Sequence, residues 1–145
     1  MSVPASSGAT PATGILANIA PWTYALLRVG AGLLFMQHGL QKLFGWFGGV
    51  DGAGASVQLV SQMGLAGVLE TFGGLLLVLG LLTRPVVLVL AVEMLVAYVK
   101  AHLPQGAVPL QNRGELALLY MTIFLFFFAH GGGPMSLDAA RSRRP

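Results

Sequence analysis

The chain has 145 residues, 55% hydrophobic and only 9% charged, with a formal net charge of +3 and a mean hydropathy of +0.77. A soluble domain carries about 25% charged residues, so the composition excludes an ordinary water-solvated globule and leaves one polytopic membrane domain with little outside the bilayer. The lack of cysteine excludes disulfides, zinc–thiolate sites, iron–sulfur ligation and cysteine nucleophiles within the chain, so redox chemistry would need a bound cofactor or a partner subunit.

Residues 1–20 read as a Ser/Ala/Thr/Pro-containing tail, disordered at least to Thr13. No Lys or Arg precedes Arg28, so the basic n-region of a cleaved signal is missing and none is expected. The membrane domain is placed at 21–135. Its first span is expected at about 22–47, the second at 64–83, the third at 86–103 and the fourth at 114–130. Each has about the length that crosses ~30 Å of hydrocarbon at ~1.5 Å per residue. The expected fold is therefore all-α, a polytopic bundle of four transmembrane helices.

The connections are short. Residues 48–61 are Gly/Ala/Ser-rich around Asp51 and read as a flexible or partly re-entrant loop. Arg84-Pro85 is the expected second turn, because proline drives its predecessor out of the helical region. Residues 104–113 hold two prolines, and Gly131-Gly132-Gly133-Pro134 stops the fourth helix. Gly67 and Gly74, beside Ala66, Gly73 and Gly80, form small-residue seams where helices approach closely in lipid. Trp22 and Trp46 fit interfacial anchors.

Four spans put both termini on one side. That side carries Arg84 with Arg141, Arg143 and Arg144 of a basic tail at 136–145, against Lys42, Lys100 and Arg113 opposite. The excess favours cytoplasmic termini and reads as a topology signal that touches anionic lipid, not as a nucleic-acid surface. Arg28 is expected to snorkel to the termini side, where His130 can cap the end of the last helix.

Three glutamates lie in apolar segments, where an acid at mid-helix costs roughly 2.5–3.5 kcal/mol. They should face inward and find partners. The ends of the first and third spans share a leaflet with the starts of the second and fourth. His38, Lys42, Glu70, Lys100, His102, Arg113 and Glu115 therefore converge on one half of the membrane, with Glu93 deeper on the stripe of Lys100. His38 and Lys42 are i,i+4 on one face. Three bases (Lys42, Lys100, Arg113) balance three acids (Glu70, Glu93, Glu115), as buried pairing requires. These eight residues are the candidate ligand or proton site. The same pattern equally describes structural ion pairs. No H-x-x-x-H or E-x-x-H spacing is present, so no metal is expected.

Several strings together resemble the DoxX family of small bacterial four-helix membrane proteins, over about 24–137. They are His38-Gly39 with Lys42-Leu43-Phe44-Gly45, Glu70 before Gly73-Gly74, Gly80-Leu81-Leu82-Thr83-Arg84, and Gly114-Glu115 opening the last helix. The family usually carries an aromatic residue after that last acid, where Leu116 stands here. The resemblance implies a bacterial cytoplasmic (inner) membrane location. It also implies a quinone- or redox-linked role, since related proteins are subunits of a thiosulfate:quinone oxidoreductase or join other membrane redox or stress-defence complexes.

Two readings of function follow. In one, the protein is the membrane subunit of a quinone-linked redox complex. It anchors a redox-enzyme partner and offers a quinone and proton site, without being a stand-alone enzyme. In the other, it is a scaffold or a small-solute or lipid carrier, a homo-oligomer in the carrier case, whose ion pairs are structural.

Overall fold

The structure is a computed structural model that describes residues 14–143; residues 1–13 of the expected tail, and Arg144, lie outside the described residues. Helix α1 (Ile15–Phe44) leads through a single 3-10 turn at Trp46–Gly48 and an ordered loop to α2 (Gln62–Leu79). Helix α3 (Thr83–Ala97) continues as a π turn (Tyr98–His102) and a 3-10 turn (Leu103–Gln105). A one-turn helix α4 (Pro109–Asn112) precedes α5 (Glu115–His130), and α6 (Leu137–Ser142) closes the chain.

Four of these helices form the bundle. The α1, α2 and α3 segments, the last taken to Gln105, are long and apolar enough to cross a membrane, while apolar α5 has 16 residues, or about 24 Å. Their outer faces are apolar, with Leu26, Leu34, Phe72, Val92 and Leu119 each more than half exposed. That pattern suits lipid, not water. The chain is an all-α membrane bundle.

Helix α1 starts seven residues before the expected boundary, so residues 15–20 are helical and not tail. Pro21 lies in its second turn, where it forgoes the bond that an N–H would make to the carbonyl of Ala17. Ser61 caps α2, its Oγ accepting from Gly64 N at 2.9 Å. Gly45 and Gly80, both left-handed, end α1 and α2. The second turn lies at Gly80–Leu82, not at Arg84-Pro85. Leu82 takes the left-handed conformation (φ 50°), and Pro85 falls in the first turn of α3, where its missing N–H costs nothing.

Helices pair as two antiparallel hairpins, α1 with α2 and α3 with α5, joined mainly along α2 and α3. The glycines divide between two seams. Gly32 and Gly39 of α1 face Gly67 and Gly74 of α2, and a Cβ on Gly39 would lie 2.5 Å from Thr71 N. Gly73 instead receives Leu90 of α3. Phe35, Leu77, Leu90, Phe124 and Phe127 fill the centre, each at most 1% exposed.

At the termini end the chain folds back and locks. Arg28 is 2% exposed, so it does not snorkel. Its guanidinium donates to Leu77 O (2.7 Å), Val78 O (2.6 Å) and Met135 O (2.8 Å), capping α2 and tethering the C-terminal segment. The expected tail at 136–145 carries a helix here. The Asp138 carboxylate accepts from Leu82 N and Thr83 N, both at 2.8 Å, and so caps α3. Burial alone would raise the Asp138 carboxyl; the N–H groups of Thr83 and Leu82, with the Arg141 charge, hold it below the usual carboxylate range. His130 Nδ1 bonds Phe126 O at 2.9 Å, closing the last turn of α5.

At the opposite end the 46–61 loop is folded around Asp51, whose Oδ1 accepts from Ala53 N (2.9 Å) and Ala55 N (3.0 Å). The N–H groups of Ala55 and Ala53 hold that exposed carboxyl below its ordinary value.

Candidate functional site

Close approach at Gly39 and Gly67 sets the site. It brings Lys42, in the last turn of α1, to Glu70 on α2. Lys42 Nζ donates to both carboxylate oxygens of Glu70 at 2.5 Å. The side chains are 16% and 4% exposed, so the pair is largely withdrawn from water. For such a pair desolvation offsets most of the attraction, and the large quantity is the cost of removing one partner.

The pair lines a cavity of about 260 Å³ between the four helices. Its apolar wall is Phe35, Met94, Ala97, Leu116 and Ala117; its polar groups are His38, Lys42, Glu70, His102, Arg113 and Tyr120. The His38 ring stands edge-on to Tyr120, with centroids 6.1 Å apart at 88°. The cavity thus combines an aromatic and aliphatic surface with hydrogen-bonding groups from α1, α2, α5, the π turn after α3 and the loop before α5. Among the described residues no group of three or more His, Cys, Asp or Glu side chains is arranged to hold a metal ion.

Five of the eight sequence candidates line this cavity: His38, Lys42, Glu70, His102 and Arg113. Glu93 sits beside it. Both of its carboxylate oxygens are buried without a hydrogen-bond partner among the described residues, close enough to Glu70 and Lys42 to feel both charges.

Lys100 and Glu115 do not join. Lys100 is exposed, and its nearest polar contact is Gln62 Oε1 at 3.4 Å. The reason is the π turn at Tyr98–His102. One π turn inserts an extra residue into the helical repeat. A uniform α-helix would bring position 101 below Ala97; here His102 follows Ala97 into the cavity, and Lys100 leaves the Glu93 stripe. Glu115 lies two residues before inward-facing Ala117, about 200° around the helix. It borders an outer groove with Pro109, Leu110 and Thr122. The expected balance of three bases and three acids is therefore not gathered at one point.

Tyr120 and Asn112 were missed. Tyr120 belongs to the inward stripe Ala117, Tyr120, Phe124, Phe127; that i, i+3, i+7, i+10 spacing, at the depth of His38 and Glu70, was the available signal. Asn112 is 1% exposed and knots the loop before α5. Its Nδ2 donates to Gly106 O (2.7 Å) and its Oδ1 accepts from Gly114 N (2.8 Å). No periodic pattern marks such a loop residue.

Fold and site together define a small helical membrane protein with an ion-paired cavity inside one half of its bundle. Residues 23–103 match the DoxX family, and a protein of Haemophilus influenzae, described as uncharacterized, is 39% identical over 125 residues, covering 81% of this chain and 90% of that one. The chain belongs to the DoxX family. No solved structure matches it.

Proposed function

We propose that this protein is the membrane subunit of a quinone-linked redox complex, and that the cavity beside Lys42 and Glu70 receives a quinone head group. The observation that carries the proposal is the buried Lys42–Glu70 pair set in an aromatic-walled cavity. A quinone ring needs flat apolar walls, which Phe35, Tyr120 and Leu116 supply. Its carbonyl oxygens need donors, which Lys42, Arg113 and His38 supply. Glu70, and Glu93, which is unpartnered among the described residues, would hold or pass on a proton. The electrons would come from and go to a redox-enzyme partner, because the chain has no thiol of its own and the quinone supplies the redox chemistry when bound.

The location that suits this role is a bacterial inner membrane with cytoplasmic termini. Lys42 is committed to Glu70, which leaves Lys100 and Arg113 opposite Arg84 and the tail arginines, and widens the positive-inside bias. The cavity then lies in the periplasmic half.

The test is partner-linked quinone reduction in native membranes. Glu70→Gln and His38→Ala should each lower turnover at least tenfold while the protein still inserts and accumulates. Unchanged turnover in both variants rules the mechanism out.

A scaffold reading draws on the same pair, since the Lys42–Glu70 bond ties α1 to α2 at their closest approach. Exchanging the two charges separates the readings. If Lys42→Glu with Glu70→Lys preserves accumulation and turnover alike, pairing is the purpose. If it preserves accumulation alone, the site is chemical.

A further inference from the structure

The ring of His102 is held from several sides, and the hold fixes its chemistry. Its Nδ1 lies 3.0 Å from the backbone carbonyl oxygen of Asn112. A carbonyl can only accept, so Nδ1 must carry the hydrogen. The loop that carries that carbonyl is itself braced, because the Asn112 side-chain amide donates to Gly106 O and accepts from Gly114 N. Tyr98 stacks on the ring, with centroids 6.4 Å apart at 27°. Gly114 makes room for Tyr98: a Cβ there would lie 2.6 Å from the tyrosine ring. The π turn brings the histidine to the cavity wall in the first place. With Nδ1 engaged, a neutral His102 has one polar atom left for the cavity it lines, an unprotonated Nε2.

We infer that His102 is a specificity-determining residue: locked as the Nδ1–H tautomer, it presents Nε2 as a hydrogen-bond acceptor and selects ligands that bear a hydroxyl donor. The inference rests on the quinone reading and deepens it, since the hydroxyl-bearing form of that ligand class is the reduced quinol. Lys42 and Arg113 are donors that serve a carbonyl; Glu70 is engaged by Lys42. His102 adds a neutral acceptor whose tautomer is fixed by its own bond to Asn112 O. A hydroxyl brought in without an acceptor would forfeit its bond to water.

Two measurements on the full-length protein in detergent or nanodiscs test this. The first uses a short-chain benzoquinol and its dimethyl ether, which has the same ring and no donor. The quinol should bind about tenfold more tightly, the size expected for one satisfied hydrogen bond. His102→Phe, which keeps a ring against Tyr98, should bring the ratio to near one. His102→Gln, whose amide oxygen can accept, should restore part of it. Equal affinities in the unmodified protein overturn the inference alone; failure of both probes to bind overturns the quinone reading and this inference together. The second is 15N NMR of histidine-labelled protein, with the His102 signals assigned by their loss in His102→Phe. A protonated Nδ1 and bare Nε2 are expected, and a protonated Nε2 with bare Nδ1 overturns the inference whatever the probes do.

Discussion

Replacing Lys42 by Met removes the one cation bonded to Glu70 among the described residues and leaves a carboxylate whose side chain is 4% exposed. Breaking a buried pair from one side costs about 3–5 kcal/mol. The penalty has a ceiling, because the orphaned acid can take a proton instead. For a carboxyl with an ordinary value of about 4.3, that costs about 3.7 kcal/mol at pH 7. Lys42→Met should therefore destabilise by about 3–4 kcal/mol. Glu70→Gln alone should cost less, about 1–2 kcal/mol, because Lys42 is 16% exposed and its flexible stem can carry the charge outward. The double variant should lie within about 1 kcal/mol of the native protein, since an apolar and neutral-polar pair needs no compensation. The cycle then gives a coupling energy of about 3 kcal/mol or more. Reversible unfolding in mixed detergent micelles, followed by helicity, measures all four corners. Additivity to within about 0.5 kcal/mol would show the two groups to be independent and would refute the pairing on which the site is built.

Other consequences are equally direct. Gly39→Val should destabilise by about 3 kcal/mol, the upper part of the overpacking range, because the new atoms would meet Thr71 backbone across the α1–α2 seam; Gly30→Ala, with nothing within 4 Å of its Cβ, is the matched control and should be neutral or mildly stabilising in the same unfolding assay. Arg28→Lys should cost about 2 kcal/mol, since one ammonium cannot serve Leu77, Val78 and Met135 as the guanidinium fork does, and it should speed proteolysis after Arg141. The Asp138 carboxyl is depressed in the folded protein, so its stabilisation is fully present above the unfolded value of about 3.9 and is lost as pH falls through the lower folded value. Hydrogen-exchange protection of Leu82 and Thr83 should accordingly hold from neutral pH to about 4 and fall below it, and in Asp138→Ala it should be low throughout.

How much of this was legible depends on how regular the backbone is. The four bundle helices and the meeting of His38, Lys42 and Glu70 followed from period and topology alone, because α1 and α2 are unbroken and their glycines face each other. Lys100 was misplaced because its assignment assumed a uniform 3.6-residue repeat through a stretch that takes a π turn. The hidden role of Arg28 depends on a C-terminal segment that folds back across the bundle end, and that return is a tertiary event with no local signature. Asn112 acts through loop hydrogen bonds, which follow no period. The Arg84-Pro85 pair misled for a different reason: proline is as welcome in the first turn of a helix as in the turn before it, and only the left-handed Leu82 settles which applies.

The central claim is that the Lys42–Glu70 cavity serves a quinone in a redox complex. Native mass spectrometry of the protein, extracted gently from its own membrane, tests it most directly. A bound quinone mass or a co-purifying redox-enzyme subunit is expected, with the quinone lost in Glu70→Gln. A bare monomer or homo-oligomer that carries only phospholipid would contradict the claim and leave the ion pair as a structural tie between α1 and α2.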